Sequence, residues 1–194
     1  KNVGVKKVLV VIGKSGNVII DKIKTIPNLN LDITFIKDLK PRGIAHSLSK
    51  TKSLIKGPLL VFLGDIFLRG ARLKKMLKKF NNSNSSCVLA SIKEKNVNNL
   101  KKNFTIQVDK NSRVNKVVEK PKKPETNIKG VGVYLFSKNI FNAIKKTSKI
   151  QILNKEFGIT EAIQTLIDNG DIVHSSMCVE EDVNINEPID LWET

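Results

Sequence analysis

The run Val8-Leu-Val-Val-Ile12, closed by Gly13, decides the fold. A strand with one wet face alternates apolar and polar residues, whereas this run is apolar throughout. That is the pattern of a strand buried on both faces, as parallel strands covered by helices are. On its C-terminal side, Val18, Ile19, Ile20 and Ile23 predict a helix that Pro27 ends. Leu31-Asp-Ile-Thr-Phe-Ile36 predicts a second strand, and Gly43 opens a helix carrying Ile44, Ala45, Leu48 and Leu54. Leu59–Leu63 is a third strand; after Gly70, Leu73, Met76, Leu77 and Phe80 fall at i, i+3, i+4 and i+7 on one helical stripe. The first 80 residues therefore read β-α-β-α-β-α, an open, largely parallel sheet with helices on its faces.

Beyond the polar loop Asn81–Ser86 the texture changes. Strands are predicted at Cys87–Ile92, Phe104–Val108 and Val114–Val118, with a turn at Asp109-Lys-Asn111, so this half reads as more antiparallel. Val131–Phe136 is a further strand, with a helix carrying Ile140, Phe141 and Ile144 after it. Ile159, Ala162, Ile163, Leu166 and Ile167 form the best helical stripe of the chain, stopped by Gly170. A short strand near Ile172–Val173 and a helix begun by Pro188 complete the reading.

The 194 residues are 40% hydrophobic, enough for one α/β domain with a true core. Against 18 acidic residues stand 34 basic ones, giving a net charge of +16, which first points to a polyanionic partner. Only Arg42, Arg69, Arg72 and Arg113 are arginines, aromatic content is 5%, and no nucleic-acid-binding motif is present. The sequence therefore argues against specific nucleic-acid recognition. Cys87 and Cys178 have no metal-spaced companions and read as free core thiols. No apolar run approaches the roughly 18 residues of a membrane span, and no signal peptide is visible, so the expectation is a soluble, cytoplasmic protein with no membrane partner.

In open α/β sheets, ligands bind beyond the carboxyl ends of the strands. Four places qualify. Gly13-Lys-Ser-Gly16 is not a phosphate loop, because the position six before its lysine is Val8, inside the strand. Leu63-Gly-Asp65 puts a carboxylate at a strand tip, either a Mg²⁺ ligand beside phosphates or a helix cap. Asp182 is the candidate second carboxylate, with Glu180 and Glu181 beside it. Glu119-Lys-Pro121 sets an acid and a base at a strand end, fit for a hydroxylated phosphate ester or for a simple surface ion pair. Lys40-Pro-Arg-Gly-Ile-Ala-His46 leads into a helix whose free N–H groups form an anion site; His46, with no visible acid and nucleophile beside it, reads as a packed or capping residue.

Pro41-Arg-Gly-Ile-Ala-His-Ser-Leu48, Leu63-Gly-Asp65, Val118-Glu-Lys-Pro121, Gly130-Val-Gly-Val-Tyr-Leu-Phe136, Glu156-Phe-Gly-Ile-Thr-Glu161 and Asp182-Val-Asn-Ile-Asn-Glu-Pro-Ile-Asp-Leu191 occur in that order. Together they resemble the sugar-1-phosphate nucleotidylyltransferases, most nearly the glucose-1-phosphate thymidylyltransferase branch. The resemblance implies a Rossmann-like α/β fold of the nucleotide-diphospho-sugar transferase type. This is an open, mostly parallel, doubly wound sheet with a nucleotide-binding half (1–80) and an antiparallel sugar-binding half (81–194). It implies Mg²⁺-dependent transfer from a dTTP- or UTP-like nucleoside triphosphate to a glucose 1-phosphate-like sugar phosphate, with release of pyrophosphate. By the same resemblance Asp65 and Asp182 hold the metal, Lys120 joins them in catalysis, and Gly43 lies against the base. Glu119 and Lys120 receive the sugar and its phosphate, Gly132 leaves room for the hexose, and Glu156 accepts hydrogen bonds from its hydroxyls. A homo-oligomer is also implied.

The departures from the family pattern are specific. The G-G-x-G-T-R signature loop and proline-lysine-proline segment have no match, so the expectation is a chain lacking the first βα unit, roughly forty residues, with little turnover of its own. Asp38 stands five before Gly43, where relatives place a base-reading glutamine; Phe104 replaces a sugar-site glycine, and Ile66 replaces the asparagine after Asp65. Asp182 lacks the usual glycine-threonine continuation. These substitutions leave open a non-catalytic binding or regulatory relative of the same fold.

Overall fold

The computed structural model describes residues 3–150 and 157–193. Strands β1 (Lys7–Ile12) and β2 (Asp32–Lys37) pair in parallel, Lys7 opposite Asp32 through to Ile12 opposite Lys37, with helix α1 (Gly16–Lys24) between them. The predicted apolar face of α1 is only partly covered: Val18 and Ile19 are exposed. Among the described residues β1 pairs only with β2, and two strands are too narrow to cover a helix face.

Helix α2 (Ile44–Ser49) and a 3-10 turn (Lys52–Leu54) lead to β3 (Leu59–Phe62) and to β4 (Ile66–Arg69), a strand the apolar pattern did not predict. Next come α3 (Lys74–Asn82), β5 (Cys87–Lys93), α4 (Val97–Lys102), β6 (Phe104–Val108), β7 (Val114–Glu119), β8 (Ile128–Phe136), α5 (Asn139–Ile150), α6 (Ile159–Asp168), β9 (Val173–Met177), β10 (Glu181–Asn184) and a closing 3-10 helix (Pro188–Glu193). The short α4 also left no signal in the sequence pattern; Asn96 starts it, its side chain accepting the Asn98 N–H at 2.9 Å.

The main sheet runs β7-β6-β8-β5-β9, with β3 also on β8. It is mixed rather than mostly parallel. Parallel pairing joins β1 to β2 and β5 to β9, whereas β3, β5 and β6 all run antiparallel to β8, and β4 pairs antiparallel with β10. The physical reason is that an unbroken apolar run carries no information on strand direction; nor is the run in β1 buried on both faces as expected, since only Ile12 is fully buried and Val8 to Val11 are half-buried. Every residue of β8 is buried. Tyr134 and Phe136 pack toward Ile140, Phe141, Ile144, Ile163 and Leu166 of α5 and α6, while Val131, Val133 and Leu135 join Met76, Val88 and Ala90 on the other face. Each such side chain contributes about 1.5–3 kcal/mol on full burial. Cys87 and Cys178 are free thiols in these two cores, and burial pushes both above the ordinary thiol range, away from reactivity.

Two irregularities shape the sheet near its centre. Leu89 pairs with Tyr134 but Ser91 pairs with Gly130, so a two-residue step on β5 meets a four-residue step on β8. The bulge holds Gly132 at φ +64, where a Cβ would overlap the Ile66 side chain. Nearby, the Phe104 ring lies flat on Gly130, in the space a side chain there would fill, and stacks on Tyr134 with centroids 6.0 Å apart.

Asp38, just past β2, is buried and ties that strand end to α2. Ser47 donates to its Oδ2 at 2.8 Å, His46 Nδ1 lies 3.2 Å from the same oxygen, and Lys50 Nζ lies 3.2 Å from Oδ1. Burial opposes its charge, but Ser47, Lys50 and His46 together outweigh burial and hold the carboxyl below the usual 3.8. Its stabilising contribution is therefore complete above that pH and is lost as pH falls through the lowered folded-state value. Asp38→Ala should cost about 2 kcal/mol at pH 7, and the deficit relative to wild type should shrink in urea titrations below pH 4. A second expectation concerns Phe104: Gly130→Ala should lower the melting temperature in wild type and be nearly neutral on a Phe104→Ala background, because removing the ring opens the space the new methyl needs.

Candidate functional site

A cavity of about 480 Å³ opens where the carboxyl end of β3, the ends of β7 and β10, the bulge of β8 and the start of α6 meet. Gly43 forms one wall. It precedes α2 at φ +108, and its missing side chain lets the Phe157 backbone press against it. The two segments are laced together: Ala45 N–H donates to the Phe157 carbonyl at 3.2 Å and Phe157 N–H to the Arg42 carbonyl at 2.7 Å. The loop before α2 thereby fixes the start of α6.

Glu119 and Lys120 stand at the end of β7. Thr160 of α6 donates to Glu119 Oε2 at 2.6 Å, which orients that carboxylate. Lys120 takes a left-handed backbone, φ 42, and its N–H donates to the Asn103 carbonyl at 3.0 Å. Such a conformation is costly for a lysine, and it breaks the alternation of β7 where the chain reaches the cavity. Asn184 Nδ2 in turn donates to Asn103 Oδ1 at 3.2 Å. The lining of the cavity thus combines the cations and amides Lys102, Asn103, Lys120 and Asn184 with Glu119, Thr160 and Glu161. Its floor includes Gly132, Phe104 and Tyr134. Burial first, then the Glu119 and Asp65 carboxylates, raise the Tyr134 phenol well above its ordinary range, so the ring stays neutral.

Of the residues singled out in the sequence, Gly43, Glu119, Lys120 and Gly132 line this one cavity. Asp65 is not among the lining residues: it is exposed and stands in the chain between Leu63 and Ile66, which both line the cavity, and its carbonyl accepts the Ile185 N–H at 2.7 Å. Asp182 lies elsewhere. In the β4–β10 ladder it faces Leu68, three residues from the Asp65 end, about 10 Å at the rise of a strand. Its carboxylate is 2.8 Å from Nζ of the buried Lys129, which also lies 3.6 Å from Glu94. A carboxylate already neutralised in a buried pair does not suit a shared metal site with Asp65. Residue Asn184, opposite Ile66, is the β10 side chain at the cavity. Among the described residues no cluster of three or more His, Cys, Asp or Glu is placed to hold a metal. Asp65 alone suits Mg²⁺, which needs one or two carboxylates and takes its remaining oxygens from water and phosphate. Asp38, at the family's base-reading position, is buried in its own ion-pair network and does not line the cavity. Glu156 lies outside the described residues.

Sequence reasoning passed over Thr160, Glu161 and Asn184, although all three stand inside the motifs that carry the resemblance. Nothing in the sequence marked Lys102, Asn103 or Tyr134 as site residues; they arrive through α4 and the bulge.

The chain matches the family described as "Nucleotidyl transferase" over residues 1–184. It is 27% identical over 180 residues to the low-salt glycan biosynthesis nucleotidyltransferase Agl11 of Haloferax volcanii, covering 90% of this chain and 48% of that protein. With a glucose-1-phosphate thymidylyltransferase of Streptomyces antibioticus it shares 30% identity over 146 residues, 75% of this chain and 40% of that one. The chain thus spans less than half the length of these two relatives. Among solved structures, a UDP-glucose pyrophosphorylase complexed with UDP-glucose superposes with a TM-score of 0.79 at 19% identity, over 97% of this chain and 78% of that one. The inositol-1-phosphate CTP transferase of T. maritima gives 0.77 at 18% identity, over 96% and 73%. These likenesses share the α/β nucleotide-diphospho-sugar transferase fold with its mixed sheet. No helix among the described residues is long and apolar enough to cross a membrane. The family match over nearly the whole chain, with its motifs gathered at one cavity, places this protein in the nucleotidyl transferase family.

Proposed function

We propose that this chain binds a sugar 1-phosphate in the cavity and takes part in nucleotidyl transfer to it from a dTTP- or UTP-like nucleoside triphosphate. The observation that carries the reading is that one cavity is lined by cations, Lys102 and Lys120, and by carboxylates, Glu119 and Glu161, together. A sugar phosphate has the complementary polarity, with a dianion at one end and hydroxyl donors at the other. Relatives bearing the names thymidylyltransferase and uridylyltransferase support the substrate class.

In the reaction a phosphate oxygen of the sugar 1-phosphate attacks the α-phosphorus. The new P–O bond forms as the bond between the α-phosphorus and the bridging oxygen breaks, and that oxygen leaves with pyrophosphate. Two anions must meet in line, so the burden on the protein is neutralisation and positioning. Lys120 takes the sugar phosphate, its backbone pinned by Asn103. Glu119, held by Thr160, accepts from a sugar hydroxyl, and Gly132 leaves volume beside the hexose. Gly43 offers a bare backbone surface to the base. Asp65 would hold Mg²⁺, which when bound neutralises phosphate charge. The 194 residues contain no G-G-x-G-T-R loop, and turnover by them alone is low in this reading. A second reading, a binding relative without chemistry, draws on the engagement of Asp182 by Lys129 and of Asp38 by Ser47 and Lys50.

Calorimetric titration tests the proposal. Glucose 1-phosphate should bind, and Lys120→Ala should weaken it at least tenfold, about 1.4 kcal/mol. Asp65→Asn should weaken Mg²⁺-dependent dTTP or UTP binding by a similar factor. Asp182→Asn should leave that binding unchanged and lower the melting temperature, because it leaves the buried Lys129 only Glu94, 3.6 Å away, as a charged partner. A chain that ignores sugar phosphate, or a Lys120→Ala variant indistinguishable from wild type, overturns the reading. Pyrophosphate release with both substrates and Mg²⁺ then separates an enzyme, however slow, from a pure binder.

A further inference from the structure

Gly130 and Gly132 stand two residues apart on β8, and the space beside each is taken by a side chain of another element. The Phe104 ring of β6 covers Gly130. A Cβ at Gly132 would overlap Ile66 Cδ1 of β4 and press on Leu63 Cδ1. Leu63, Ile66 and Phe104 thus lie along one short span of β8, and all three line the cavity. Phe104 is almost wholly buried, whereas Leu63 and Ile66 are half-buried and supply the surface a ligand can touch. The wall at this place is aliphatic.

The backbone holds this wall in place. Leu63 N–H donates to the Gly132 carbonyl at 3.1 Å, and the Asp65 carbonyl accepts from Ile185, so the segment carrying Leu63 and Ile66 is tied to both β8 and the end of β10. In the β4–β10 ladder Ile66 stands opposite Asn184, close enough for the two side chains to share one surface. Asn184 Nδ2 is engaged by Asn103 Oδ1 at 3.2 Å, so the polar side chain across the ladder is already bonded within the protein. A sugar hydroxyl laid on Ile66 would leave water and gain no hydrogen bond from that side chain, which is costly, whereas a C–H or methyl group at the same place gains from burial. An apolar wall discriminates against one added hydroxyl by up to about a hundredfold.

We propose that Ile66 is a specificity-determining residue that selects a deoxygenated sugar 1-phosphate, one carrying hydrogen or methyl in place of the hydroxyl that would face it. The inference rests on the sugar-phosphate reading of the same cavity and narrows its substrate class. Lys120 and Glu119 serve the phosphate and a remaining hydroxyl, and Gly132 serves by admitting Ile66 into the wall.

The experiment is calorimetry on the whole chain with glucose 1-phosphate and each of its monodeoxy analogues, comparing wild type, Ile66→Val, Ile66→Thr, Ile66→Asn and Lys120→Ala. One analogue should bind wild type about tenfold more tightly than glucose 1-phosphate does. Ile66→Val should keep that preference. Ile66→Thr, which has the shape of Ile66→Val with a hydroxyl in place of one methyl, should abolish it by binding glucose 1-phosphate more tightly. Mere loosening of β4 would not separate the two, because both substitutions remove the same bulk. Ile66→Asn should abolish the preference in the same way, and it carries the test if Ile66→Thr folds poorly. Lys120→Ala should weaken every ligand and leave their order unchanged. If no analogue binds wild type more tightly than glucose 1-phosphate, or if the preference survives in Ile66→Thr and Ile66→Asn, the assignment is wrong, and the sugar-phosphate reading still stands on the loss of binding in Lys120→Ala. If wild type binds none of these sugar phosphates, both fall together.

Discussion

The burial of β8 on both faces is the constraint that organises everything else in the fold. A strand flanked by β3, β5 and β6 and covered by helices on either side has no polar face to give away. Alternate residues must serve two separate cores, and both have to be filled. The bulge at Gly132 is the one interruption, and it falls where β3 ends and the cavity begins. A regular strand there would put a side chain into Ile66 and close the space. The same element that supplies most of the packing therefore also opens the site, a common placement for a bulge.

Charge is distributed around the cavity with a consistent logic despite the large surplus of lysine. Most of that surplus is exposed and solvated, where single charges do little. The few lysines that matter are those given a fixed partner or backbone: Lys129, buried between Asp182 and Glu94, and Lys120, turned at the cavity by a left-handed backbone. Lys129 has a structural task, holding β10 to the main sheet so that Asn184 reaches the cavity. Glycines do complementary work on the other wall, where Gly43 admits a neighbouring backbone and Gly158 a neighbouring carboxylate.

Asp65 and Asp182 differ in how much of their placement a motif can carry. Asp65 comes just after a strand and a glycine, and strand tips in α/β sheets lie where ligands bind, so its place in the chain between two lining residues, Leu63 and Ile66, was legible. Asp182 was chosen for its chemistry, as the carboxylate in the motif that best resembles a metal ligand. Which residue of β10 faces the cavity depends on the register of the β4–β10 ladder, and β4, with only the three apolar residues Ile66-Phe-Leu68, was too short to be read as a strand. Asp38 is a similar case: its position along the chain pointed to the base, and its burial against α2 is a matter of packing.

The order of most strands and helices and the membership of Gly43, Glu119, Lys120 and Gly132 in one set were legible in the sequence, whereas burial on both faces, read for Val8–Ile12, belongs to β8 and leaves β1 half-buried. Those features are local: they come from periodicity, from punctuation by glycine and proline, and from motifs a few residues long. Strand direction, the bulge, the pairing of Asp182 with Lys129, and the entry of Asn103, Tyr134 and Glu161 into the cavity arose only with tertiary packing. Each depends on a partner far away in the chain, and a contact between residues distant in sequence has no signature in either residue alone.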